Sequence, residues 1–472
     1  MITLRPDQEQ AVADLQAAFR AGRMAPLLCA PTGMGKTVVS AEIARRTAAR
    51  GKRIMFTVHR EELLTQTSKT FTAFGIEHGF VKSGMTYDNR PLVHIASIDT
   101  LRNRLELVKP PDLLVIDEAH LARANTWHQV IAHFRSLGAR VMGNSGSPRR
   151  LDGKSLGDLF DALVMGPSVA WLIEHGHLSR YKYFAPSCPD MTGIGKRMGD
   201  YDKGALAAAA DTAPLLGDIV GQWRAKARGL RTLAFTVSHA HSEHLVDAFR
   251  AAGITAASID SKSSKPQRRQ LIEDFADRRI QVLANVELVT TGFDLAASVG
   301  RDVTVEAVIL ARPTQSLALF LQMCGRGLRA KDDPCIFLDH AGNSGRHGWP
   351  DDDREWSLED EEDGKSATKN KPAPLTCETC YQQVRQPAPM HCPHCGTAWP
   401  RGEGARSFEA DTTVELEEVT EADRMAARRQ RVGEEGRCKT YEEFVALGKA
   451  RGYPKPEAWA GHRMKARQGR RA

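Results

Sequence analysis

The chain has 472 residues, too many for one hydrophobic core, so two to four domains are expected, and 42% hydrophobic residues suffice to pack them. No apolar run is long enough to span a bilayer and MITLRPDQ has no charged-then-apolar leader, which argues against a membrane protein and for a cytoplasmic location. The net charge of +7 suits a nucleic-acid partner without singling one out.

Residues 1 to about 165 alternate short apolar segments with amphipathic ones: PLLCA then VVSAEIARR, RIMFTV then EELLTQTSKTFTAF, LLVIDE then WHQVIAHF, and finally RVMGNSG. That alternation predicts a parallel, doubly wound sheet. Between the first strand and the helix that follows lies Ala30 to Thr37, APTGMGKT. Gly33 and Gly35 let the backbone wrap a polyphosphate, the new helix aims unpaired N–H groups at it, and Lys36 adds a charge for the outer phosphates. Thr37 is placed to hold Mg²⁺, and Ala30 stands where such loops usually carry their first glycine. The run LLVI ends in Asp117-Glu118-Ala119-His120, which puts Asp117 at the carboxyl edge of the sheet as a second Mg²⁺ ligand. Glu118 can then orient and deprotonate an attacking water. Two acids at a helix start would ordinarily just answer the helix dipole, but beside a phosphate loop they point to nucleoside-triphosphate hydrolysis.

A second series begins near Ser168 and is clear from Thr232, with strands LAFTV, AASI, QVLA, AVIL and CIFLD separated by helical stretches such as HSEHLVDAF and PQRRQLIEDF. Two α/β lobes in tandem follow from it. DDDREWSLEDEED and GKSATKNKPAPLT lack periodicity and read as a linker. Of nine cysteines, Cys29, Cys188, Cys324, Cys335 and Cys438 are scattered, whereas Cys377-x-x-Cys380 and Cys392-x-x-Cys395 have the spacing of a closed, four-thiolate metal site in a reducing compartment. Zinc suits so short a ribbon better than iron, and His391 and His394 flank the second pair as competing ligands. The ribbon either touches nucleic acid or only folds the linker. In the strongly basic tail, TYEEFVALGKARG and EAWAGHRMKARQG read as helices with Phe444, Leu447 and Trp459 for a small core, and the basic residues either follow a phosphate backbone or form a solvated face.

Taken in order, these segments resemble the superfamily 2 helicases of the DEAD/DEAH-box type, in particular bacterial and prophage members that share motor features with restriction-enzyme translocases. The resemblance covers roughly residues 3 to 340. It implies that Arg5 and Gln8 of LRPDQEQAV recognise adenine, and that TVHREELLTQT, with His59, Arg60 and Gln66, and IASIDTL grip nucleic-acid phosphates. It makes His120 a coupler between lobes and GNSGSPRRLDG the coupling motif, with the hydroxyls of Ser145 and Ser147 kept and Gly146 in the middle as a departure. NVELVTTGFD carries Thr291, Gly292 and Asp294 of the fifth motif, and QMCGRGLR carries Gln322, Arg326 and Arg329 of the sixth. An always-charged guanidinium reaching across from another lobe stabilises a γ-phosphoryl in transit, by ~10³–10⁵ in rate for arginine fingers. The implied architecture is α/β: two tandem RecA-like P-loop lobes with parallel sheets (1–165 and 166–345), an acidic linker (346–376), a zinc ribbon (377–400) and a basic helical tail (401–472). The implied cofactors are ATP, Mg²⁺ and Zn²⁺, and the implied function is an ATP-dependent helicase or translocase, with DNA favoured on resemblance. An RNA helicase is the alternative, and a non-catalytic, nucleotide-gated nucleic-acid-binding protein is a rival that Glu118 and Arg326 argue against.

Overall fold

The computed structural model describes residues 3–399 apart from 60, 122–123, 151–152, 187–188, 190, 192, 198–199, 261–262, 287–294, 302 and 360–373, together with parts of 434–464. Residues 1–399 form one compact unit and 400–472 a second.

The first lobe runs α1 (Pro6–Arg20), β1 (Pro26–Cys29), α2 (Lys36–Ala48), β2 (Ile54–Val58), α3 (Glu61–Ala73), β3 (His78–Val81), β4 (Val93–Ser97), α4 (Ile98–Arg102), β5 (Leu113–Ile116), α5 (Ala124–Ser136), β6 (Arg140–Ser145) and β7 (Ala162–Met165). Its seven strands lie in the order β3-β4-β2-β5-β6-β1-β7, every pair parallel. Strands β1, β2 and β5 are buried at every residue, as strands covered by helices on both faces must be, which is why they read as unbroken apolar runs. Parallel pairing brings the carboxyl ends of β1, β5 and β6 to one edge, with Cys29 opposite Ser145 and Ile116 opposite Gly143.

The second lobe runs α6 (Val169–Glu174), β8 (Tyr181–Phe184), the hairpin β9 (Lys196–Arg197) and β10 (Asp200–Tyr201), α7 (Lys203–Ala210), α8 (Ala213–Lys226), β11 (Thr232–Phe235), α9 (His239–Ala251), β12 (Ala256–Ile259), α10 (Lys265–Ala276), β13 (Val282–Asn285), α11 (Leu295–Val299), β14 (Ala307–Leu310), α12 (Leu317–Gly327), β15 (Cys335–Asp339) and α13 (Asn343–His347). Its six strands are also all parallel, in the order β12-β13-β11-β14-β15-β8. The turn at β9–β10 is pinned to the loop before α12, because Asp200 accepts from the Thr314 hydroxyl at 2.9 Å and the Gln315 amide at 2.7 Å. Ser316 caps α12 by accepting from the Leu319 amide.

A small hairpin, β16 (Leu375–Thr376) with β17 (Gln383–Val384), follows and docks on the free edge of β8. Phe184 bridges Gln382, and the Ala185 amide donates to the Tyr381 carbonyl at 3.1 Å. In the second unit a helix spans Tyr441–Ala450, with Phe444 and Ala460 buried and the Tyr441 hydroxyl donating to the Glu457 carbonyl.

Candidate active site at the edge of the first lobe

The loop after β1 owes its shape to two left-handed residues, Gly33 at φ +94° and Gly35 at φ +88°. A side chain at either would also collide, Gly33 with Leu178 Cδ2 at 2.6 Å and Gly35 with Gln8 Nε2 at 2.5 Å. Helix α2 begins at Lys36 with no side-chain cap and no acid in its first turn, so its leading N–H groups are left for an anion. Lys36 Nζ folds back onto the loop, donating to the Ala30 carbonyl at 2.9 Å and that of Pro31 at 3.3 Å. Arg5 and Gln8 clamp the same loop: both donate to the Met34 carbonyl, at 2.8 and 3.0 Å, and Arg5 is held in turn by Asp7.

Asp117 and Glu118 follow β5, which β6 separates from β1 in the sheet. Burial and the neighbouring Glu118 push the Asp117 carboxyl upward. Burial also works to raise Glu118, but His120, Lys36, His59 and Arg326 together outweigh it and keep that carboxyl below its ordinary range. Glu118 sits at φ +49°, a left-handed conformation that costs a bulky residue about 1–3 kcal/mol. Asn144 donates to Ser40 Oγ at 2.8 Å and to Asp117 Oδ1 at 3.4 Å, tying the carboxylate to α2. Excess negative charge in a buried pair is what a hard divalent cation relieves, and Asp117 and Thr37 supply hard oxygen donors suited to Mg²⁺.

The second lobe closes over this edge through α12. Gly325 abuts the phosphate loop so closely that a Cβ there would stand 2.9 Å from Thr32 Cβ. One turn earlier, the Gln322 amide donates to His120 Nε2 across the cleft. His120 Nδ1 lies 3.0 Å from Ser145 Oγ and 3.3 Å from Glu118 Oε2, and the Ser145 hydroxyl donates to the Ser147 carbonyl. Burial lowers His120 to about 4, so the ring is neutral, accepts at Nε2 and donates from Nδ1. Arg326 is buried, and its charge reaches Glu118 from the other lobe.

The structure thus gathers Lys36, Asp117, Glu118, His120, Ser145, Ser147, Gln322 and Arg326 at one edge, with His59 near enough to act on Glu118. Arg329 is placed by a backbone bridge to Leu178, the residue that abuts Gly33. Gln66 lies within α3, its carbonyl accepting from the Thr70 hydroxyl. Arg60, Thr291, Gly292 and Asp294 lie outside the described residues. Sequence reasoning missed Asn144, which lies in the small, polar stretch GNSGS and is marked out only by its complete burial in the fold. It also missed Leu178 and Thr32, ordinary residues whose roles come only from what packs against them.

Away from the cleft, the sulfur atoms of Cys377, Cys380, Cys392 and Cys395 lie within 4.8 Å of one another, with Cys377–Cys395 and Cys380–Cys392 each at 3.6 Å. A tetrahedron with Zn–S bonds of about 2.3 Å has edges of about 3.8 Å, so the four thiols fit a zinc ion. His394 instead sets its ring edge against Phe184, 5.2 Å between centroids.

Residues 1–150 match the family model of the type III restriction enzyme res subunit, and residues 213–331 that of the helicase conserved C-terminal domain. A Lactococcus phage protein described as "51.5 kDa protein" is 30% identical over 79% of this chain and 75% of its own length. The putative ATP-dependent helicase IRC3 of Saccharomyces cerevisiae is 26% identical over 72% of this chain and 52% of its own, so the chain spans about half of that relative. Among solved structures, the DNA-bound, ATP-dependent type ISP restriction-modification enzyme LlaBIII superposes with a TM-score of 0.52 at 17% identity, over 72% of this chain and 28% of that one, a likeness of fold. With two RecA-like lobes meeting over a phosphate loop, and with these matches on both lobes, the chain belongs to the superfamily 2 helicases and has a restriction-motor-like core.

Proposed function

We propose that this protein is an ATP-driven helicase or translocase that acts on DNA. The observation that carries the reading is the pairing across the cleft: Glu118 of the first lobe sits in the field of Arg326 of the second, while Gln322 holds His120. The loop from Ala30 to Lys36 would cradle the triphosphate, and Mg²⁺ held by Thr37 and Asp117 would neutralise charge on its outer phosphates. Glu118, kept ionised by the nearby charges of Lys36 and Arg326, takes the proton of the attacking water, and Arg326 meets the negative charge that develops on the γ-phosphoryl. The chain Gln322–His120–Ser145 then senses whether the lobes are closed. A strand shared by both lobes is moved if each nucleotide state grips it with different affinity.

DNA is favoured by the family resemblance and by the DNA-bound restriction motor among the fold neighbours. The four thiols would hold zinc as a structural ion, and domain limits of 1–165, 166–345, 346–376, 377–400 and 401–472 complete the reading. Among the described residues no helix is long and apolar enough to cross a membrane. ATP turnover measured with single-stranded DNA, duplex DNA and RNA of matched sequence tests the proposal. Stimulation by DNA supports it, stimulation by RNA alone replaces it with an RNA helicase, and no turnover at saturating nucleic acid leaves a non-catalytic binding protein.

A further inference from the structure

Residues 349–359 begin the segment that the sequence presents as an acidic linker, yet they are fastened at both ends. At the second lobe Trp349 is buried against Tyr183, 5.6 Å between ring centroids. The buried side of Arg354 donates to the carbonyls of Trp349 at 2.6 Å and His347 at 3.2 Å, and Asp352 accepts from the Trp349 amide at 2.8 Å. The ribbon adds a second fastening, because Arg385 pairs with both Asp351 and Asp352 and stacks over Trp349. The chain then crosses to the first lobe. There Leu358 packs on the cluster containing Leu156, Leu159 and Phe160, and its carbonyl accepts from Ser155 Oγ. Gly157 lies so close beneath that carbonyl that a Cβ would stand 2.0 Å from it.

Between the two fastenings, Pro350 and Trp356 wall a cavity of about 390 Å³ whose other sides include Pro31 and Thr32 of the phosphate loop and Gln322 and Gly325 of α12. The crossing therefore lies beside the pairings that mark a closed cleft, and it is made with those pairings in place.

We propose that residues 349–359 are a strap that ties the lobes and holds the cleft closed when no nucleic acid spans them. A tether fastened to both lobes favours the closed state only if opening pulls one of its ends from its seat, and the seat of Leu358 on the first lobe is the end that opening would pull free. Nucleic acid bound to both lobes provides a second tie, so the strap matters most without it. The ribbon acts through Arg385 as the strap's anchor on the second lobe. The consequence for turnover rests on the ATPase reading above; the tether itself does not.

The test uses the full chain with spin labels on genetically encoded residues at the exposed positions Leu137 and Asp247, one per lobe, which spares the cysteines. The unaltered protein without nucleic acid should give one narrow interlobe distance. Leu358→Asp, and more weakly Ser155→Ala, should lengthen and broaden it, with the closed-to-open ratio falling about tenfold for Leu358→Asp, equivalent to about 1.4 kcal/mol. Unstimulated ATP turnover should fall in parallel and recover at saturating nucleic acid. Distance distributions that stay identical in the unaltered chain and both variants overturn the strap, and a widened distribution with unchanged unstimulated turnover overturns its hold on the working cleft. Absence of turnover in the unaltered protein refutes the ATPase reading instead, and the distance measurement still decides the tether.

Discussion

Gly325→Ala should separate the stability of the second lobe from the closure of the cleft. Within its own lobe the added methyl is harmless: Gly325 lies in α12, where alanine is favoured over glycine by up to about 1 kcal/mol, less near a helix end. Across the cleft the same methyl would stand 2.9 Å from Thr32 Cβ, 3.3 Å from its Oγ1 and 3.4 Å from its Cγ2. Carbon atoms in contact prefer about 3.5–4.0 Å, so the lobes must part by several tenths of an ångström or the phosphate loop must deform. Overpacking of this kind costs about 1–3 kcal/mol, which corresponds to about 5–150-fold in the population of the closed cleft. Turnover should drop within that range while the melting temperature stays level or rises slightly. Binding of ATP to the first lobe should change far less, since the loop's own bonds from Arg5, Gln8 and Lys36 remain. Stopped assays of ATP hydrolysis alongside calorimetric melting and nucleotide titration make the comparison. Turnover within twofold of the parent, or a lowered melting temperature that accounts for the loss, would refute the reasoning.

How much of this was legible in the sequence depended on how far apart the cooperating residues lie. Phosphate binding depends on backbone shape, and Gly33, Gly35, Lys36 and Thr37 announce it within five positions. Strand β5, which Asp117 follows, is buried at every residue and shows as the apolar run LLVI, whereas β6 reads RVMGNS, and only its parallel pairing with β5 brings Ser145 to the same edge. Contacts between lobes leave no such trace. Leu178 against Gly33, Gly325 against Thr32 and Gln322 against His120 join residues about 145 to 293 positions apart, and no local period marks their partners. Residues 349–359 illustrate the same limit from the other side. Their fastening rests on one tryptophan, one arginine and one leucine at irregular spacing within an acidic run, a pattern that neither helix nor strand periodicity detects. The docking of β16–β17 was equally hidden, because β8 is an edge strand and what meets its outer side comes from residues about 200 positions later.

Glu118→Gln should retain nucleotide binding and lose most hydrolysis, since Lys36 and Asp117 are untouched while the proton acceptor is gone; near-parental steady-state turnover would remove Glu118 from that role. Replacing Cys377 and Cys392 with serine should release one zinc per chain and raise amide exchange across 375–399 while leaving β11 and β13 protected, because a module this small takes its folding free energy from the metal. Carefully purified parent protein without stoichiometric zinc would refute the assignment. The acid side of the stability profile should carry a contribution from His241, which burial lowers to about 4. An unfolded histidine binds its proton near pH 6.5, so between about 6.5 and 4 the unfolded chain holds more protons at this site than the folded one. The neutral ring therefore stabilises the fold above that window, and stability is lost as the pH falls through it, with a limiting slope of about 1.4 kcal/mol per pH unit from this one group. Its only described polar contact is a weak one, with Nδ1 accepting from the Val237 amide at 3.4 Å, so His241→Asn can be compared with the parent without dismantling a larger network. Denaturant titrations of both proteins from pH 7 to pH 5 should show the parent losing stability faster than the variant; parallel profiles, or a steeper loss in the variant, would mean that the ring takes up its proton in the folded state as readily as in the unfolded one.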